Sequence, residues 1–502
     1  MRAKLGGTKT NGAPVSAREE SHSVSDTTRL SRSWEVSRRP LVLAAVAVLG
    51  LKLVWFAIDR SPLFYLGDSQ SYIYSAISGR PILNRSNSYP WLIWLISVRP
   101  RTLTTLVLAQ SLAGAATAWI LAFCLLRYFK VRAAIAVAAA VIFAVEPLQI
   151  LHERMVLAES FAMLMLAVYL LLCLSYLARP RALTLIVLAA TGVLLLSLRL
   201  VYVPVTLVGA VLVPLLGWLI PRSEWTATNR VRRFLGHLAI SVLVTLGLHQ
   251  LYRTATGLRV NLPPAYQYNS GFFLASTWAP LIEPEDASDP RARRVVEKLL
   301  DSAAYPLRDF KVRFRQLWSE GGLTSEMKKA FGGDTYAANV AAEEMSLRTL
   351  RRAPLSVVRQ TARAYAFYWQ SPASMRGWLL DEQGTTRGPD QSFLANLKEW
   401  FNLDAGESAA SMTPSKRYHL LGAPWYIVLS VSPLIGLLCL RWVRREARPG
   451  ALLLAVFGAM LLILPCATTV STAVRFLHPL VFGTLVALAV IADGATQRGT
   501  TA

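Results

Sequence analysis

Charge is scarce in this 502-residue sequence: Asp, Glu, Lys and Arg together make up 17%, against 54% hydrophobic residues. A soluble domain carries about a quarter charged residues, so the composition speaks against a single water-soluble globule. Acids are scarcest, with 30 Asp and Glu facing 53 Lys and Arg for a net charge of +23. Nucleic-acid binding would gather those bases on a soluble module; none is found, and no nucleic-acid partner is expected. Cysteines number four, Cys124, Cys173, Cys439 and Cys466. Each lies inside an apolar stretch, where cysteine behaves as a small hydrophobe, and no paired spacing marks a disulfide framework or zinc site. Residues 1–40 lack the short apolar core of a cleaved signal peptide. They read as a disordered, basic cytoplasmic tail.

Long apolar runs are plentiful. A helix needs about 20 apolar residues to cross the hydrocarbon core, and ten stretches approach that length: 41–58, 102–126, 133–150, 157–177, 182–198, 200–220, 235–252, 424–440, 450–467 and 476–492. Backbone left unsatisfied in lipid is costly, so these should be helices. The expected fold class is an all-α polytopic membrane protein with about 10 transmembrane helices and further helices in its extracytoplasmic loops. With the amino terminus inside, every second connection is cytoplasmic, and those connections hold 13 Lys and Arg, from Arg127 to Arg448, beside only Glu224 and Glu446. This is a strong positive-inside pattern.

The chain then divides into the tail 1–40, a transmembrane core 41–252 with a first outer loop 59–101, a large outer region 253–423, carboxy-terminal spans 424–492 and a cytoplasmic tail 493–502. The outer region carries 22 basic and 18 acidic residues, a balance expected of a folded unit. Within it, 343–370 mixes arginines with apolar and aromatic residues, and reads equally as an amphipathic helix on the membrane surface or one packed in a small subdomain.

On this topology only five acids lie near the outer face outside the large region: Asp59, Asp68, Glu146, Glu153 and Glu159. Ionisable groups near lipid usually have a function. In the first loop, Gly67-Asp68-Ser69 suits a helix start, with Tyr72 one turn on and on the same face. The second turn bunches Glu146, His152, Glu153, Arg154 and Glu159. His152-Glu153 begins like a zinc-protease HExxH helix, but Val156 stands where the second histidine belongs. Asp68 is also explained as a cap, Glu153 or Glu159 as stabilising the start of the fourth helix, and for each residue of the second turn a structural role outweighs a catalytic one. Arg199 ends the fifth stretch, and the last hairpin reads Arg475-Phe-Leu-His478-Pro479. An arginine near a helix end often just snorkels to the interface; outer arginines against the positive-inside trend nevertheless make an anionic partner plausible, and a phosphate fits the guanidinium fork.

These residues resemble the GT-C superfamily of integral-membrane glycosyltransferases, in the branch with protein O-mannosyltransferases and lipid A aminoarabinose transferases. The resemblance covers about 41–260 and 424–492. It rests on GDSQSYIYSAISGRP after the first span, Tyr89-Pro90 before the second, Glu-Pro closing the third and LAESF opening the fourth. It continues with an arginine ending the fifth and Arg-Phe-Leu-His-Pro in the last hairpin. Protein O-mannosyltransferases show an Asp-Glu pair where this chain has Gly67-Asp68-Ser69, which counts against a protein acceptor. The WWDYG-like signature of oligosaccharyltransferases is absent.

The resemblance implies transfer of a sugar, mannose first, from a polyprenyl-phosphate donor to a hydroxyl of an extracytoplasmic acceptor such as a cell-envelope glycan or lipid. Arabinose, aminoarabinose, galacturonate and glucose stay open. Asp68 would be the catalytic base; Tyr72, Glu146, His152, Glu153, Arg154, Glu159, Arg199, Arg475 and His478 would bind substrate. The protein would be multi-pass in the plasma (inner) membrane, its active site extracytoplasmic, its partners the bilayer, donor and acceptor. The sequence has neither the Asp-x-Asp motif that holds metal and nucleotide sugar in soluble glycosyltransferases nor a GxxxxGK[ST] phosphate loop. No cofactor is expected, and a divalent metal is not predicted. The alternative is a polytopic transporter or lipid flippase without transferase activity. Such proteins place ionisable groups near the bilayer midplane, where only Lys52 stands here.

Overall fold

Backbone amides in an apolar environment find acceptors only in their own helix, and all ten apolar stretches are helical over most of their length. The structure, a computed structural model, describes residues 20–220, 227–369, 379, 390–405 and 412–499. Seven helical segments are long and apolar enough to cross a membrane: Arg38–Ile58, Thr104–Phe129, Glu159–Ala178, Leu200–Leu219, Thr228–Val260, Arg445–Thr468 and Leu480–Gln497.

Of the other three expected stretches, two are broken at a proline and one is a continuous but shorter helix. The stretch 133–150 is a pair of helices, α5 (Ala133–Ala144) and α6 (Pro147–Arg154), bent by 45°. Pro147 lacks the amide that would continue α5 and is suited to a first helical position. The stretch 424–440 divides into two eight-residue helices, Ala423–Ser430 and Ser432–Cys439, with Pro433 at the start of the second. The stretch 182–198 forms a 17-residue helix, Ala182–Leu198, which ends where Arg199 turns extended.

In chain order the remaining helices are α1 (Glu20–Ile58), α2 (Leu66–Ser78), α3 (Ser88–Ile93) and α4 (Thr104–Cys124) before that bent pair, then α7 (Glu159–Ala178), α8 (Ala182–Leu198), α9 (Val203–Leu219) and α10 (Ala227–Val260). Helix α1 begins within the stretch expected to be an unstructured tail, whose first 19 residues lie outside the described residues. Extending a helix already nucleated by its apolar span costs little per residue. Helix α7 packs against α4 and α8, α10 against α8 and α9, and α1 against α4 and α5.

The described part of 253–423 folds around a second core. Its helices α11 (Ser270–Trp278), α12 (Pro290–Leu300), α13 (Arg313–Trp318), α14 (Leu323–Ala330) and α15 (Thr335–Arg352) enclose Phe272, Val296, Leu299, Met327 and Met345. The 343–370 stretch is not one helix: α15 gives way to α16 (Pro354–Ala366) at Pro354. After α17 (Gln391–Phe401), α18 (Pro414–Leu421), α19 (Ala423–Ser430) and α20 (Ser432–Cys439), the chain closes with α21 (Arg448–Thr468) and α22 (Leu480–Gly499). Helix α20 packs on α21 and α22, and α22 on α5, so the last spans rejoin the first. Trp278 donates to the Ala467 carbonyl at 2.8 Å, seating α11 over the end of α21.

Candidate active site

Two loop segments fix the start of α2. Leu63 pairs with Met155 in a parallel bridge: Leu63 N donates to Arg154 O at 2.8 Å and Val156 N to Leu63 O at 2.9 Å. Ser69 reinforces this, its hydroxyl donating to Val156 O at 3.0 Å and accepting from Tyr65 N at 2.8 Å. Asp68 therefore sits inside the first turn of α2 and does not cap it; Tyr65 precedes the helix, with no side-chain cap. Gly67 belongs to the same helical turn.

Freed from capping, the Asp68 carboxylate joins two arginines from distant segments. Arg85 Nη1 lies 2.7 Å from Oδ1, and Arg475 Nη1 lies 2.8 Å from Oδ2. Burial opposes ionisation of Asp68, but the charges of Arg475 and then Arg85 outweigh it and hold the carboxyl below the ordinary range. The Arg475 guanidinium lies 4.5 Å over the Tyr65 ring, and both Arg85 and Arg475 keep a buried Nε–H with no partner. Tyr72, one turn along α2, packs edge-on against Tyr89 at 5.0 Å. Burial, then the Asp68 charge, pushes its hydroxyl up to about 12. A second ion pair stands nearby, Arg199 Nη1 to Glu159 Oε1 at 3.2 Å, joining the end of α8 to the start of α7.

These groups line one open cavity of about 1310 Å³. Of the residues expected from sequence, Asp68, Tyr72, Glu159, Arg199 and Arg475 share its wall; Arg85 shares it too and was not among them. The signal that selects Arg199 and Arg475, an outer arginine against the positive-inside trend, applies equally to Arg85. Residues of the 253–423 region line it too, among them Tyr266, Tyr336, Asn339 and Glu343.

Glu146, His152, Glu153, Arg154 and His478 are buried and do not line the cavity. They form a polar layer around α6. Glu153 accepts from Lys52 Nζ at 2.5 Å and from Gln149 Nε2 at 2.8 Å, and Arg154 Nη1 lies 3.8 Å from its other oxygen. Gln149 Oε1 in turn lies 2.7 Å from His478 Nε2, and the His478 and His152 rings are 4.6 Å apart. Glu146 accepts from Gln149 N at 2.6 Å and from Trp425 Nε1 at 3.1 Å, capping α6. Since His478 follows Arg475 by three residues, this layer supports the hairpin that carries the Asp68 partner. Among the described residues no three His, Cys, Asp or Glu side chains converge as metal ligands would.

Gly114 on α4 makes room for the layer: a Cβ there would overlap Glu153 Oε1 and stand 2.8 Å from Gln149 Nε2. Overpacking a filled interior costs about 1–3 kcal/mol. Gly114→Ala is therefore expected to lower the melting temperature of the detergent-solubilised protein, and an unchanged midpoint would show that the layer yields.

No protein-family model matches this chain, and no curated protein matches it. Among solved structures, the crystal structure of ArnT from Cupriavidus metallidurans in the apo state is similar at 16% sequence identity, covering 89% of this chain and 77% of that chain with a TM-score of 0.34.

Proposed function

We propose that this protein is an inverting, membrane-embedded glycosyltransferase of the GT-C type, moving a sugar from a polyprenyl-phosphate donor to a hydroxyl of an extracytoplasmic cell-envelope glycan or lipid. Mannose is the first choice of sugar, by resemblance. On this reading the cavity faces outward from the plasma membrane, and the tails 1–40 and 493–502 lie inside. The observation that carries it is the Asp68 carboxylate held between Arg85 and Arg475 on the wall of a large cavity at the ends of apolar helices.

The chemistry follows from the charges. The acceptor oxygen attacks the anomeric carbon, the bond from that carbon to the phosphate oxygen breaks on the opposite face, and the hydroxyl proton passes to Asp68. The products are the glycosylated acceptor, with inverted configuration, and free polyprenyl phosphate. Each Asp68 oxygen bonded to one guanidinium keeps acceptor capacity for a substrate hydroxyl. A donor phosphate would compete with the Asp68 carboxylate for Arg85 and Arg475, both on the cavity wall; preorganised cations stabilise a developing anion well. Drawing a guanidinium from the carboxylate also raises its affinity for a proton, so donor binding primes the base.

Two experiments test this reading. Membranes carrying the wild-type chain should transfer label from one member of a panel of radiolabelled polyprenyl-phosphate sugars, and Asp68→Asn should not. The second is pH dependence. In the free protein a carboxylate held low stays ionised until the pH falls through that lowered value, so the acid limb of kcat/KM should lie below the ordinary Asp range. Arg85→Gln removes one cause of the lowering and should move that limb upward; a limb that does not move would take Asp68 out of the base role.

A further inference from the structure

Arg313, in the outer region, is buried with 4% exposure, and its Nη1 donor has no hydrogen-bond partner. It pairs with no carboxylate among the described residues. Its guanidinium lies 3.6 Å from the Phe310 ring centroid, and a second guanidinium, that of Arg363 on α16, lies 4.4 Å from the same ring. Two like charges against one ring repel, and burial, then Arg363, pulls the Arg313 pKa down to about 10. The Arg313 Nε donates to the Phe310 carbonyl at 3.0 Å, but a buried cation without a counter-charge is costly, and an anion brought to it would relieve that cost.

The position of the pair says which anion. Helix α16 packs along the membrane-crossing helix α21, and its Ala364 carbonyl accepts from Thr472 just past the end of that helix. Cys466, two residues before the end of α21, is near enough to bear on the Arg313 charge. The guanidiniums therefore lie at the depth of an apolar span's end, where lipid headgroups lie. The outward side of α16 is amphipathic in the same sense: Leu355 is 70% and Val358 63% exposed, beside exposed Arg359 and Arg363. Apolar residues interleaved with arginines on one helix face match the acyl boundary and the phosphate of a lipid.

We infer that Arg313 and Arg363 form a binding site for the phosphate of an anionic membrane lipid, with α16 lying in the interface beside it. This site is separate from the Asp68 cavity, and its test does not depend on sugar transfer. The full chain is reconstituted in phosphatidylcholine vesicles containing a trace of photoactivatable phosphatidylglycerol, or of photoactivatable phosphatidylcholine, and labelled peptides are mapped by mass spectrometry. Labelling of 310–318 and 354–369 should be stronger with the phosphatidylglycerol probe. Arg363→Gln should reduce it about fivefold, the effect of one basic residue at a membrane surface, while labelling near Leu43 on α1 stays constant as the internal reference. Arg363 is exposed, so this variant should fold; Arg313→Lys, which keeps the charge but loses the fork, should give an intermediate reduction. Equal labelling by both probes, or no change in Arg363→Gln, would overturn the site. Loss of labelling on adding inorganic phosphate would assign the pair to a soluble anion and overturn the lipid site equally.

Discussion

Asp68→Asn is expected to lower sugar transfer by about 10²–10⁴-fold, the range general-base catalysis contributes, with normal insertion into the membrane. Asparagine keeps the shape of aspartate but cannot take the acceptor proton. It also leaves Arg85 and Arg475 without the carboxylate both now share, so donor affinity should hold or rise, since a phosphate no longer competes with Asp68 for them. The prediction is therefore a split: the maximal rate collapses while the donor KM does not increase. A loss confined to KM would instead make Asp68 a binding residue.

The second large effect is on stability. Lys52 and Glu153 are 1% and 0% exposed and 2.5 Å apart, with Arg154 on the other side of the same carboxylate. Removing one partner of a buried pair costs about 3–5 kcal/mol because the other is left as an uncompensated charge. Glu153→Gln strands two cations and should be the most damaging single change in this layer. Lys52→Met leaves Glu153 with Arg154 and should cost less. Adding Lys52→Met to Glu153→Gln should recover part of the loss, since a stranded ammonium is then gone. Thermal unfolding of the four proteins in detergent gives this order; a double variant worse than Glu153→Gln alone would show that Lys52 serves another partner.

Much of the architecture is legible in the residues because lipid imposes one requirement, internal pairing of the backbone, that long apolar runs meet in one way. All ten stretches are helical, but length and hydrophobicity say nothing of where a helix breaks. Pro147 and Pro433 carried that signal, and each marks a span that is bent or divided. The wall of the cavity was legible where a charge opposed its surroundings, at Asp68, Arg199 and Arg475. It was less legible at His152, Glu153, Arg154 and His478, which stand in the same short stretches as cavity residues but point into a buried layer. Sequence proximity groups residues at one end of a helix; only the packing of α1, α4 and α6 decides which face the cavity. Lys52 shows the same limit, since a lone lysine in a span has an evident partner only once Glu153 is placed beside it. Asp68 looked like a cap because its spacing fits one, and the Leu63–Met155 bridge and Ser69 had already settled the helix start.

The most direct test of the account is the fate of the donor. Wild-type membranes incubated with polyprenyl-phosphate sugars labelled separately in the lipid and in the sugar should consume one donor, releasing free polyprenyl phosphate in step with a glycosylated product of inverted anomeric configuration. Intact donor moved across the bilayer, with both labels still joined and no product formed, would contradict transfer and leave a transporter in its place.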